Sequence, residues 1–155
     1  MKITIARALK LKNRLQSRIR TLAGDMEHYN SVVLGGSKEI DVKTALADYD
    51  RLVADLVVLK TAIFAANAPV YSQILSLAEL KSKISVLQKL NTDHGKVVET
   101  YRFSSSDGPI EYEATFRKGE VDQMVRNLEN EIDRVQEELD GHNHKNLIII
   151  DSIEL

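Results

Sequence analysis

The run LVADLVVLKTAIFAANAPV, Leu52 to Val70, is the longest apolar stretch in the chain. It carries Asp55, Lys60 and Asn67, and Pro69 sits near its end. A spanning helix needs about 20 largely apolar residues in which charges are rare, so we read a soluble segment and no membrane span. Val42, Tyr49, Leu56 and Ile63 recur every seven residues, with Leu46, Val53 and Leu59 or Lys60 as the neighbouring row. This spacing predicts a helix from Asp41, its N-cap, to about Asn67. From Leu52 onward apolar residues occupy nearly every face, and a helix apolar all round is buried all round. Its second half is thus expected at the centre of a bundle or in a subunit interface.

The flanking helices are amphipathic. Ala8, Leu15, Leu22 and Tyr29 recur at seven, with Ile5, Ile19 and Met26 beside them, which predicts a first helix over about 4–29. The segment from Val32 to Ser37, with Gly35 and Gly36, reads as a loop. Ser76-Leu77-Ala78-Glu79 matches a capping box, and so predicts the start of a third helix whose apolar face holds Leu77, Leu80, Ile84 and Leu87 and can extend to Leu90. A fourth helix is expected over 120–140, where Val121, Val125, Leu128, Ile132, Val135 and Leu139 are spaced 4, 3, 4, 3, 4 in a coiled-coil-like seam and Gly141 is a natural stop.

Between the third and fourth helices the period falls to two. Val97, Glu99, Tyr101 and Phe103 alternate with their neighbours, as do Ile110, Tyr112, Ala114 and Phe116, around the turn formers SSSDGP. A β-hairpin over about 96–117 is expected, with Leu147 to Ile150 as a short strand beside it. The predicted fold is one domain over 1–155: mainly α, a four-helix coiled-coil-like bundle with an inserted β-hairpin (α+β) and a short C-terminal strand.

Charge is unevenly placed within a net of -2. The first twenty residues hold seven basic side chains and no acid, whereas Gly119 to Asp140 hold eight acids against Arg126 and Arg134. A basic helix and an acidic helix match one another within a chain or between chains. The basic residues are spread around the first helix, and no Gly-rich cradle or aromatic stacking run accompanies them, so nucleic acid is a disfavoured partner. There is no cysteine, which removes disulfides and thiolate metal sites and fits a reducing, cytoplasmic location.

The chemistry-bearing residues give no reaction. His142 and His144 form an H-x-H without a third nitrogen ligand, so no metal and no cofactor are assigned. Glu99, Glu111 and Glu113 alternate on strands where cross-strand pairing with arginine is their usual role. No nucleophile constellation is present, and no catalytic residue is assigned. Tyr101, Arg102, Tyr112 and Arg117 on the hairpin, with Arg14 and Arg18 on the first helix, are the candidates for holding an anionic small molecule or nucleotide.

Met1-Lys2, Ala8-Leu9, Leu15-Gln16-Ser17-Arg18-Ile19, Ile63 to Asn67, Val121-Asp122-Gln123, Leu128, Glu131-Ile132-Asp133, Val135-Gln136-Glu137 and Glu154-Leu155 resemble a family of small, mostly helical bacterial proteins sometimes labelled septicolysin-like. The resemblance implies a helical, oligomeric protein and supplies no catalytic residues. Together these features predict a non-enzymatic homo-oligomeric scaffold or protein-interaction protein. The alternatives are an anion- or nucleotide-binding module with its site at subunit junctions and, more weakly, a nucleic-acid binder through the first helix.

Overall fold

The computed structural model describes residues 1–97 and 110–150. Among them the order is β1 (Lys2–Thr4), α1 (Ile5–Tyr29), α2 (Val42–Asn67), a 3-10 turn (Ala68–Val70), α3 (Tyr71–Gln88), β2 (Gly95–Val97), β3 (Ile110–Tyr112), α4 (Lys118–Lys145) and β4 (Leu147–Ile149). The class is mainly α, with a hairpin inserted between α3 and α4 and a short C-terminal strand, as the periodicities imply. By its contacts the chain divides into two compact units, one of residues 1–71 with 139–155 and the other of residues 72–138.

In the first unit, Lys2 to Thr4 pair antiparallel with Leu147 to Ile149, Ile3 opposite Ile148. The ladder is closed by Met1 N donating to the Ile150 carbonyl at 2.6 Å and Ile150 N–H donating to the Met1 carbonyl at 3.0 Å. Alternation along the strands sends Ile3, Ile148 and Ile150 inward and leaves Ile149 exposed. The expected LIII strand therefore exists, but it pairs with β1 and not with the hairpin. The pairing follows from burial: Ile3 and Ile5 complete a core with Ala8, Leu11 and Leu15 of α1 and Leu52, Leu59 and Ile63 of α2, and Ile148 and Ile150 belong to the same cluster.

The helix starts are chemically explicit. Thr4 caps α1, its Oγ1 accepting from Arg7 N–H at 3.2 Å. Asp41 caps α2, with Oδ1 accepting from Lys43 N–H at 3.1 Å and Oδ2 from the Thr44 hydroxyl at 2.6 Å. Between these helices a tight turn closes as Gly36 N–H donates to the Val33 carbonyl at 2.7 Å. Gly35 in that turn has φ 84, a conformation that costs glycine nothing.

Two expected boundaries move. Ser76 lies inside α3 rather than at its start, because Pro69 lacks the N–H needed to continue α2 and the chain tightens into a 3-10 turn that feeds directly into Tyr71. Gly141 does not stop α4. With no left-handed φ there, the helix runs four residues further to Lys145. Asn146 ends it, its backbone N–H and its side-chain amide each donating to the His142 carbonyl at 3.0 Å.

In the second unit, Gly95 to Val97 pair with Ile110 to Tyr112, Lys96 opposite Glu111. The rest of the expected first strand and the SSSDGP connection lie outside the described residues. The α4 start is held by Arg117 N–H donating to Glu120 Oε2 at 2.8 Å, half of a capping box. Val121, Val125, Leu128 and Val135 of this unit are buried and Ile132 half-buried, so the seven-residue row is the inner face of α4 as its spacing implies.

Candidate interaction surface

The outward side of α2 carries the most unusual surface. Leu52, Leu59 and Ile63 are enclosed, whereas Val57, Val58 and Phe64 in the same helix are exposed. The expectation that this half-helix is buried all round is overturned for the single chain. Within its unit α2 packs against α1 and β4, and these cover one side only. Apolar side chains on the other side are left to solvent, Tyr71 after the 3-10 turn among them. In the second unit, α3 has no buried residue, and Leu75, Val86 and Leu90 are exposed. By length and composition Val42–Gln88 is apolar enough to cross a membrane, and 11% of its most apolar window is buried.

The polar candidates are placed as follows. Arg14 and Arg18 are exposed on α1 in the first unit; Tyr112, half-buried on β3, and the exposed Arg117 belong to the second. Tyr101 and Arg102 lie outside the described residues. His142 and His144 stand on a helix, where alternate residues point to different faces, so the extended geometry that H-x-H metal binding needs is not formed. Both His142 ring nitrogens are engaged, Nε2 with the Ala66 carbonyl at 3.1 Å and Nδ1 with the Asn146 amide at 3.0 Å. Among the described residues no three His, Asp or Glu side chains gather where they could hold a metal ion.

A cleft of about 490 Å³ beside the α1–α2 loop is lined by Asn30, Lys38, Glu39, Ile40, Asp41, Val42 and Lys43. Its carboxylates are already used: Glu39 Oε2 accepts from the Tyr29 hydroxyl at 2.7 Å, and Asp41 caps α2. The Glu39 contact raises the Tyr29 phenol above its ordinary value, chiefly by that hydrogen bond. Thr44 and then the Lys43 amide lower the Asp41 carboxyl. Both shifts follow chiefly from local hydrogen bonds. Among the described residues no polar or charged side chain is fully buried.

The ion pairs Arg51–Asp48 at 3.2 Å, Lys118–Asp122 at 2.6 Å and Arg134–Glu138 at 3.3 Å each close within one helix. The α1 side chains Arg7, Lys10, Arg14, Arg18 and Arg20 are exposed. The outward apolar face of α2 was legible as an excess of apolar residues in Leu52 to Val70, but which of them face solvent depends on what packs beside them. Comparison with family models, with curated proteins and with solved structures gives no match.

Proposed function

We propose that this chain is a non-enzymatic, homo-oligomeric scaffold or protein-interaction protein. The observation that carries the reading is the exposed apolar side of α2, with Val57, Val58 and Phe64 open to water opposite a well-packed core row. Contiguous exposed apolar surface on a folded domain marks a contact site. The described polar candidates are spread over α1, β3 and the start of α4, and Asp41, Asp48, Asp122 and Glu138 are engaged in a cap or in intrahelical pairs, which supports binding over catalysis. The exposed basic side chains of α1 suit contacts between chains, where they select partners and orientation more than they add affinity. A bacterial, cytoplasmic setting is part of the same reading.

Light scattering on purified protein tests it. The expected result is a mass above one chain at micromolar concentration, in both low and moderate salt. A single-chain mass in both would overturn the proposal.

A further inference from the structure

We infer that residues 54–71 form a homodimer seam that pairs antiparallel with the same residues of a second copy. This rests on the oligomeric reading above and names its surface. Ala54, Val57, Thr61, Phe64, Ala68 and Tyr71 follow one another at spacings of 3, 4, 3, 4, 3, the period of a helix-pair seam. All six are exposed; Ala54, Val57, Thr61 and Phe64 lie on the side of α2 away from Leu52, Leu59 and Ile63, and Ala68 and Tyr71 follow in the 3-10 turn and at the first residue of α3. The rings of Phe64 and Tyr71 meet edge to face with centroids 5.8 Å apart, so the face continues through the 3-10 turn. The Thr61 hydroxyl donates to the Val57 carbonyl at 2.9 Å. Covering Thr61 therefore strands no donor.

The alternation of sizes selects the partner and its direction. Along the seam small residues (Ala54, Thr61, Ala68) alternate with large ones (Val57, Phe64, Tyr71). A parallel, in-register pair would stack Phe64 on Phe64 and Ala68 on Ala68, giving overfull and empty layers in turn. An antiparallel pair centred between Thr61 and Phe64 sets Ala54 opposite Tyr71, Val57 opposite Ala68 and Thr61 opposite Phe64, with every layer holding one small and one large side chain. Each contact then occurs twice, as a two-fold interface demands. Val58 and Ala65, both exposed, line one flank of this seam.

Area and charge agree with a second copy as occupant. Val57 is 59% exposed, Val58 49%, Phe64 64% and Tyr71 44%. Covering them with the adjoining alanines and Thr61 removes on the order of 1,000 Å² over two copies, the lower end for specific association. Only Asp55 and Lys60 are charged between Ala54 and Tyr71, and Lys60 flanks the seam rather than interrupting it. One turn before Ala54 the same face meets the exposed Asp50, which ends the seam and is a costly neighbour for lipid.

The chain has no cysteine, so introduced thiols report the pairing directly. Val57→Cys and Ala68→Cys are made as separate proteins, one carrying a mass tag, and oxidised alone and as an equimolar mixture. Eleven residues of helix separate these positions by about 16 Å, too far for a disulfide between two copies of the same variant in the antiparallel pair. The expected result is a cross-linked species in the mixture, several-fold above either variant alone, and halving of the wild-type mass by Phe64→Glu with unchanged circular dichroism. Cross-linking by either variant alone, or an oligomer indifferent to Phe64→Glu, overturns the seam while leaving the oligomeric reading intact. A wild-type monomer overturns both, and so does a monomer that floats with phosphatidylcholine vesicles, which would assign the face to lipid.

Discussion

His142 Nε2 lies 3.1 Å from the carbonyl oxygen of Ala66, and Asn146 holds the other ring nitrogen at 3.0 Å. Ala66 is in the last turn of α2, where carbonyls lose their intrahelical donors. The imidazole supplies one, donating from Nε2 while Nδ1 accepts from the Asn146 amide. This contact ties the last part of α4 to the end of α2 within the first unit. His142→Phe removes the donor and leaves the carbonyl partly enclosed, and is expected to cost about 1–3 kcal/mol. His142→Gln should recover part of the loss. Urea denaturation of the three proteins checks this; equal stability of His142→Phe and wild type would show that the contact contributes nothing.

Asp41 makes acid stability depend on one cap. Its folded-state carboxyl lies below the ordinary value, first because of the Thr44 hydroxyl and then because of the Lys43 amide. A depressed carboxyl contributes stability above its unfolded value and loses it as pH falls through its folded value. The gap between wild type and Asp41→Asn should therefore be widest near neutrality and close in the acid range. Thermal melts from pH 7 down to pH 2 measure it, and a gap independent of pH would exclude the carboxylate as its source.

Gly24 stands exposed in α1, and a Cβ added there meets nothing within 4 Å. Its φ is not left-handed, so the position costs chain entropy with no conformational return. Gly24→Ala should raise stability by roughly 0.5–1 kcal/mol. A fall would mean that this surface of α1 makes close contacts with another molecule.

What could be read from sequence was local. The span of α1 was legible from its seven-residue apolar rows, and the start of α2 because Asp41 is a good cap and the apolar rows begin just after it. The α4 seam was legible for the same reason of period. β1 was not: three residues give no periodic signal, and their partner lies at the far end of the chain. Ser76-Leu77-Ala78-Glu79 satisfies a capping pattern that the helix does not use, because Pro69 had already restarted the backbone. The outward face of α2 shows the deeper limit. Hydrophobicity marks Phe64 and Ile63 alike, and the placement of α1 and β4 decides that Ile63 is enclosed and Phe64 is not.

Leu59 and Val57 turn that distinction into a measurement. They are two residues apart on α2, yet Leu59 is fully enclosed in the core with Leu15 and Leu52 while Val57 is open to water. Leu59→Ala leaves a cavity among α1 and α2 side chains and is expected to lose about 2–5 kcal/mol, at every protein concentration. Val57→Ala should change the stability of dilute protein by no more than about 0.5 kcal/mol. Its effect should grow with concentration, because self-association stabilises the folded state by mass action and a truncated seam weakens it. Melting each variant over a hundredfold range of concentration separates the two. A concentration-independent loss for Val57→Ala as large as that for Leu59→Ala would place Val57 in the core and remove the free face on which the oligomeric reading stands.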